Sequence, residues 1–575
     1  MSDETNDTGE WIPAPQDRSP INTQSITHQQ PHQTQVHRPK LSAGARFSQF
    51  IDAPIQPTPL SPMEQLRSSM PADRFVGWVV TVVITGLAFV LRWFRLGVPA
   101  EILFDEVYYA KDAWSVMQYG YEGTWVGDDD LVKHQVATGD FSALTTSASW
   151  AVHPPVGKML IGVGEVLFGL NPFGWRFMAM IFGTLMVWLV IRLTRRLAKS
   201  TLIGGLAGLL LTVDGMNFVM SRLALLDVFQ AFFLLAGVAC VAADREHFRN
   251  RLANHLSNLP DHNLAGKAGP FVFRGWLVIA GLMFGLACAT KWNSIYALAV
   301  FGIVVVVWSI SARSLAGAKS HAWFGLISDG IPAFISMVVV SVAVYITSWI
   351  PWLRASGGYL RDWGAEHGDD WVVRHFGEAL GSLWHNQVET YQFHTGEGMA
   401  TATHSYASTP WVWPFMGRTT GIYFASVEAG QPGCPGTEEC FGVISTLGTP
   451  LLWWAGAIAL FAAAVWWLAG MDWRFSIAVL GTCSTWIPWI LTGRGAMFSF
   501  YAITMIPFMV IGLALALGVI LGPTRAGNRR QSGAIIVGTF VCLIVLNFLY
   551  IYPILTGQLL PRSHYYWRAW WPGWI

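Results

Sequence analysis

The sequence predicts an all-α polytopic membrane protein with two long loops on one face of the bilayer. Three observations predict it. Of 575 residues, 53% are hydrophobic and only 12% charged, about half the charged share of an average soluble domain. Apolar stretches long enough to cross a hydrocarbon core recur from Val76 to Pro553. Between them lie two segments far longer than a connection needs, and loops of that length tend to carry function.

Taken in order, residues 1–74 are rich in Gln, Thr, Ser, Pro and His and poor in large apolar residues. Such a composition cannot bury enough surface to order itself, so a disordered cytoplasmic tail is expected. No cleavable signal peptide is read near Met1, which makes the first span an uncleaved anchor. Spans are expected at 76–95, 174–193, 201–217, 223–243, 276–291, 293–310, 331–350, 449–469, 475–492, 501–521 and 533–553, about eleven in all. They divide into an N-terminal transmembrane module (75–350), a loop (351–447), C-terminal helices (448–553) and a tail (554–575).

Orientation follows from basic residues in the short loops. Arg192, Arg195, Arg196 and Lys199, then Arg245, Arg249 and Arg251, then Arg313 with Lys319, then Arg474, then Arg525, Arg529 and Arg530 all fall on one side. That side is the cytoplasm if the N-terminus is inside, and the C-terminus then lies outside. The long loops 96–175 and 351–447 share the outer face. The net charge of +1, with no basic stripe interleaved with aromatics, gives no reason to expect nucleic acid.

Of six cysteines, Cys240, Cys288, Cys483 and Cys542 fall in apolar spans and read as small hydrophobes. Cys434 and Cys440 bracket a polar turn, and a disulfide is expected if that loop faces an oxidising compartment. No further Cys or His nearby completes a zinc site. The run Asp128–Asp130 is the one tempting metal candidate, though a solvated loop is the better reading.

Two adjacent carboxylates, Asp105 and Glu106, follow the first span. Read as a helix, 104–118 places Val107, Ala110, Trp114 and Met117 on one face and Asp105, Tyr109 and Asp112 on another. An amphipathic helix on the outer leaflet would hold Asp105 at the lipid surface. Equally, both acids could simply cap the helix. His153-Pro154-Pro155 opens a second amphipathic segment, in which Lys158 either meets a phosphate or anchors the interface. Arg176, Arg222, Lys291 and Arg494 lie at outer span ends, where cations are costly unless they snorkel or pair with an anion. A lipid phosphate is one such anion; for Arg222, nearby Asp227 is another. The second loop carries Trp363, Trp371, Trp384, His375, His385, His394 and His404, without metal-pair spacing apart from His394 with His404, and reads as a structured cap.

Five motifs then stand in order: Phe104-Asp105-Glu106-Val107-Tyr108-Tyr109, His153-Pro-Pro-Val-Gly-Lys158, Trp175-Arg-Phe-Met-Ala-Met-Ile-Phe-Gly183, Ser221-Arg-Leu-Ala-Leu-Leu-Asp-Val-Phe229 and Ala289-Thr-Lys-Trp-Asn293. Together they resemble the protein O-mannosyltransferases, membrane glycosyltransferases of the GT-C fold. The resemblance covers about 75–310 strongly and, beyond it, mainly topology and Phe498–Pro507. No segment matches the β-trefoil MIR domain of eukaryotic members, which points to the bacterial branch and a polyprenyl phosphate mannose donor. The eukaryotic histidine pattern near the C-terminus is replaced by Phe and Tyr.

The resemblance implies inverting transfer of mannose to Ser or Thr hydroxyls of secreted or membrane proteins at the outer face of the plasma membrane. Asp105 would be the base and Glu106 would position acceptor or sugar. Arg176, Arg222, Lys291 and Lys158 would bind the donor phosphate, with His153 and Asp227 in support. It makes the secretion translocon a candidate partner. No metal or other cofactor is expected, since protein cations can balance a lipid phosphate. The competing readings are another GT-C transferase acting on lipid A, arabinan or another glycan, and a transporter. The latter is disfavoured because the ionisable residues gather at the outer face rather than at the midplane.

Overall fold

The computed structural model describes residues 61–67, 70–470, 472–523 and 527–574. Among them, six helices are long and apolar enough to cross a bilayer: Arg74–Trp93, Pro172–Ala198, Leu226–Ser257, Ser294–Ser348, Pro450–Leu468 and Asn528–Ile551. Ser294–Ser348 is two rods, because Gly317 (φ 91°) and Lys319 (φ 50°) break it after Arg313. Shorter apolar helices, Thr201–Thr212, Gly275–Cys288 and Ile506–Leu521, pack among the long ones.

Leu226–Ser257 is apolar all round because it is the axis of the bundle: its hydrophobic stretch is 83% buried, against 17% for Arg74–Trp93. The peripheral helices instead leave side chains such as Phe75, Val82 and Ile535 exposed, as a lipid-facing surface requires. The span expected at 201–217 stops early. Val213 ends the helix, and the Asp214 side chain accepts from the Asn217 N–H to start a new short helix, Gly215–Met220.

Most of the expected disordered tail, 1–74, lies outside the described residues. Its described part corrects the expectation, because Pro62–Leu66 is a helix closed by a Ser61–Glu64 capping box. Leu66 is fully buried in a cluster with Phe248, Leu252 and Leu256.

The first long loop is ordered throughout. Helix Glu106–Tyr119 packs against helix Val156–Phe168, and between them lie an antiparallel pair, Gly123–Trp125 with Leu144–Ala148, and helix Asp129–Ala137. Gly162 permits the helix contact, since a Cβ there would sit 2.4 Å from Met117 Cγ. The apolar face is rotated from the expected one: Tyr109, Ala110, Ala113 and Val116 are buried, while Met117 is 39% exposed. The neighbouring helix, rather than a lipid surface alone, selects it. The Asp128–Asp130 run is explained locally, by Asp128 capping its helix and Asp130 pairing with Lys133.

In the second loop, helices Trp371–Phe376 and Glu378–Thr395 precede a hairpin, Gly421–Val427 with Cys440–Ser445. The C-terminal tail completes this sheet, with Leu559–Pro561 pairing on Cys440–Gly442. Cys434 and Cys440 are joined by a disulfide across the hairpin loop. Trp574 is buried and its Nε1–H donates to the Met416 carbonyl at 2.5 Å.

Candidate active site

The two adjacent carboxylates are treated oppositely by the fold. Glu106 is fully buried and meets Arg176 in a two-pronged ion pair, Nε to Oε1 and Nη2 to Oε2, both 2.8 Å. Its oxygens also accept the N–H groups of Leu103 and Ala224, each at 3.0 Å. Arg176 spends its remaining donors on the carbonyls of Pro99 and Glu101, both at 2.8 Å. The pair ties the chain after the first span to the turn before the central helix. This corrects two expectations: Glu106 does not reach towards a sugar, and Arg176 has no donor left for a phosphate.

Asp105 occupies the cap position of the same helix, but its side chain makes no capping hydrogen bond. Among the described residues it forms no ion pair either, so both acids stand at the helix N-terminus as the capping alternative had it, but without a capping bond from Asp105. The preceding residue, Phe104, has a left-handed backbone (φ 47°), a costly conformation for a bulky side chain. Its ring packs edge-on against Phe498 and Phe500, at 5.5 and 5.8 Å between centroids. The aromatic cluster of the C-terminal half therefore fixes the residue that presents Asp105.

Burial pushes the Asp105 carboxyl up from 3.8 to about 6. Lys291 works against that rise and Asp227 adds to it. Lys291 sits between both C-terminal and N-terminal elements: its Nζ donates to Asp227 Oδ1 and Oδ2 at 2.9 and 2.8 Å and lies 4.9 Å from the Tyr501 ring centroid. The alternative pairing of Asp227 with Arg222 is not found. Arg222 instead donates to the carbonyls of Arg92, Phe94 and Arg95 at 2.9, 2.6 and 2.9 Å, closing the end of the first span. Lys158 is also held inside, 2.6 Å from Glu122 and 3.4 Å from Asp112. Arg222 and Lys158, expected as phosphate ligands, therefore serve as internal ties.

Near Tyr109 and Lys291 lies a histidine pair missed as a unit by sequence reasoning. The rings of His153 and His394 stack at 5.5 Å, and His153 also lies 6.2 Å from Tyr109. Burial first, then Lys291, His394, Lys158 and Arg494, hold His153 well below the usual imidazole range, so it is neutral at pH 7. His394 Nε2 lies 3.0 Å from the Val152 carbonyl, and its Nδ1 is 3.5 Å from Arg494 Nη1. Arg494 has no carboxylate partner among the described residues, and its Nε is buried without a partner. Of the outer-end cations picked out by sequence, it is the one with a buried, unpartnered Nε among the described residues. Its signal was its place in Thr492-Gly-Arg-Gly495, between a span and the aromatic cluster. Among the described residues no group of three or more His, Cys, Asp or Glu is placed to hold a metal ion.

The fold defines the class first. The backbone follows the S. cerevisiae protein O-mannosyltransferase Pmt1-Pmt2 complex bound to the sugar donor with a TM-score of 0.62, over 90% of this chain and 94% of that one, at 13% identity. It is therefore a membrane glycosyltransferase fold of the GT-C type. Two family models match the chain: dolichyl-phosphate-mannose-protein mannosyltransferase over residues 82–349, and the C-terminal four-transmembrane region of protein-O-mannosyltransferase over 379–574. The polyprenol-phosphate-mannose–protein mannosyltransferase of Mycobacterium tuberculosis is 36% identical over 90% of this chain and 95% of its own length. That of Corynebacterium glutamicum is 30% identical over 82% and 88%. The chain belongs to the protein mannosyltransferase family.

Proposed function

We propose that the protein transfers mannose from polyprenyl phosphate mannose to Ser or Thr hydroxyls of polypeptides. The observation that carries this is Asp105: a carboxylate raised to about 6 by burial, with no capping hydrogen bond and no ion pair among the described residues, and within reach of the Lys291 charge. A base of that strength can take a hydroxyl proton near neutrality. The acceptor oxygen attacks the anomeric carbon as its proton passes to Asp105. The bond from that carbon to the phosphate oxygen breaks with its electron pair, and the configuration inverts. Arg494 and Lys291 meet the charge growing on the phosphate, the usual large electrostatic contribution. Neutral His153 offers a ring N–H and a lone pair to sugar hydroxyls.

The site works without a metal in this reading, since cations already face the phosphate position. Transfer takes place outside the plasma membrane. Supporting this, the long loops and the disulfide share one face, while Arg195, paired with Asp73, and Lys199, paired with Glu246, mark the other. Acceptors must present a hydroxyl on accessible backbone, so the step fits chains leaving the secretion translocon. The test supplies purified enzyme in nanodiscs with polyprenyl phosphate mannose and a Ser/Thr peptide, with and without chelator. Mannosyl peptide of inverted configuration, unaffected by chelator, is expected. Label on a glycan or lipid instead, with peptide untouched, would transfer the chain to a different acceptor class.

A further inference from the structure

Helix Glu378–Thr395 in the second long loop is built inside out. Its buried side carries Gly381, Ser382, Asn386 and Thr390 beside Leu383. Ser382 Oγ accepts from the Gly364 N–H at 2.8 Å, and Gly381 leaves room for Val373. Its outward side presents Trp384, Val388 and Tyr391, spaced i, i+4 and i+7 on one stripe, with Trp384 58% and Tyr391 60% exposed. A helix that turns small and polar residues inward and large aromatic ones outward is not packed for water on that side.

Two links fix its height relative to the bundle. Gln387, in the middle of the helix, accepts from the Tyr345 hydroxyl, and Tyr345 in turn accepts from Trp292 Nε1 at 2.8 Å. Tyr345 lies in the last turn of the span that ends at Ser348, and Trp292 lies just before the span beginning at Ser294. The helix therefore crosses the bundle at the mouth of its spans, rather than standing clear of them. The same span leaves Val342 52% and Ile346 42% exposed, an apolar surface of the kind that faces lipid. The Gln387 link sets the exposed stripe on the helix at the level of the end of that span. Trp and Tyr are the residues favoured at this depth, where an apolar ring meets lipid and a polar edge meets water. The stripe contains no Lys or Arg, so its partner is chosen by apolar contact and not by anionic headgroups.

We propose that helix Glu378–Thr395 lies in the interfacial zone of the bilayer on the long-loop side, with Trp384, Val388 and Tyr391 seated among the lipid headgroups. The consequence is mechanical. The last turn of this helix carries His394, stacked on His153 and beside Arg494, so the lipid surface itself holds one wall of the site in register. The seat is independent of the transfer reaction and can be tested apart from it.

The experiment places the photo-cross-linker p-benzoylphenylalanine at Trp384 or Tyr391, one at a time, by amber suppression. An aromatic replaces an aromatic at an exposed position, which preserves the fold. A control carries it at Glu397, an exposed residue beyond the helix. Each protein is irradiated in phosphatidylcholine nanodiscs and analysed by mass spectrometry. Lipid adducts several-fold more abundant at 384 and 391 than at 397, and unchanged when anionic lipid is added, are expected. Cross-links joining two copies would assign the face to self-association and overturn the proposal. Equal, low lipid adducts at all three positions would show the stripe standing in water and overturn it as well. Adducts that appear only with anionic lipid would refute the apolar seat.

Discussion

The electrostatic setting of Asp105 can be tested by altering its two charged neighbours separately. Burial raises its carboxyl from 3.8 to about 6, a net rise that already includes a lowering by Lys291 and a smaller raising by Asp227. A group raised in this way is protonated and inactive as a base below its pKa, so transfer should climb with pH through about 6 and level off above it. The donor is a phosphodiester, which does not titrate in this range, so the inflection belongs to the enzyme. A charge within a few ångströms moves a carboxyl pKa by roughly 1–3 pH units, and we take about one as the working value. Lys291→Met should therefore move the inflection up towards about 7, and Asp227→Asn should move it down towards about 5. Because Lys291 is the larger influence, the double variant should lie above wild type and below Lys291→Met. The assay is the initial rate of mannosyl transfer to a peptide across the acid and neutral range, scored on the position of the inflection. Absolute rates will also fall, since in the proposed mechanism Lys291 meets the charge on the phosphate, but they do not enter the comparison. One shared inflection in all four proteins, or a downward shift in Lys291→Met, would refute the assignment of the base and its setting.

Four further outcomes are expected. Arg494→Gln should raise KM for the lipid donor, with loss of a charge-assisted hydrogen bond of about 1.5–3 kcal/mol, roughly ten- to hundredfold, and Arg494→Lys should restore part of it; an unchanged donor KM would count against the phosphate role. Glu106→Gln strands Arg176 in the interior, and breaking such a buried pair costs about 3–5 kcal/mol, so thermal unfolding in detergent should shift markedly lower. Trp574→Ala should also destabilise, by about 3–5 kcal/mol, because that buried ring ties the C-terminal tail to the Met416 carbonyl. Peptide mapping without reductant should recover Cys434 linked to Cys440, and reduction should lower stability by about 2 kcal/mol.

Much of this was legible from residue order, and the exceptions have a common cause. Apolar length marked the long spans, and two acids beyond the first of them pointed to the candidate site. A cysteine pair bracketing a short polar turn was enough to anticipate its bond. What could not be read was the pairing of charges. Glu106 and Arg176 are 70 residues apart, and Asp227 and Lys291 are 64 apart. A cation at a span end looks the same whether it awaits a phosphate or is held by a distant carboxylate. All four cations assigned to phosphate by resemblance have internal partners: Arg176 in Glu106, Lys158 in Glu122, Lys291 in Asp227 and Arg222 in backbone carbonyls. Arg494, left out of that set, keeps a buried Nε without a partner among the described residues. The C-terminal strand Leu559–Pro561 was hidden for a different reason: three residues carry no period, and the strand exists only because Cys440–Gly442 lies alongside to pair with it.

The central claim is that Asp105 accepts the hydroxyl proton during mannosyl transfer. The most direct measurement compares wild type with Asp105→Asn in nanodiscs, using radiolabelled polyprenyl phosphate mannose and a Thr-containing peptide, with donor binding measured in parallel. Asn is nearly isosteric but cannot take a proton. Transfer should fall by roughly a hundred- to ten-thousandfold, the usual contribution of a positioned base, while donor binding and thermal stability stay close to wild type. Transfer at the wild-type rate by Asp105→Asn would contradict the account.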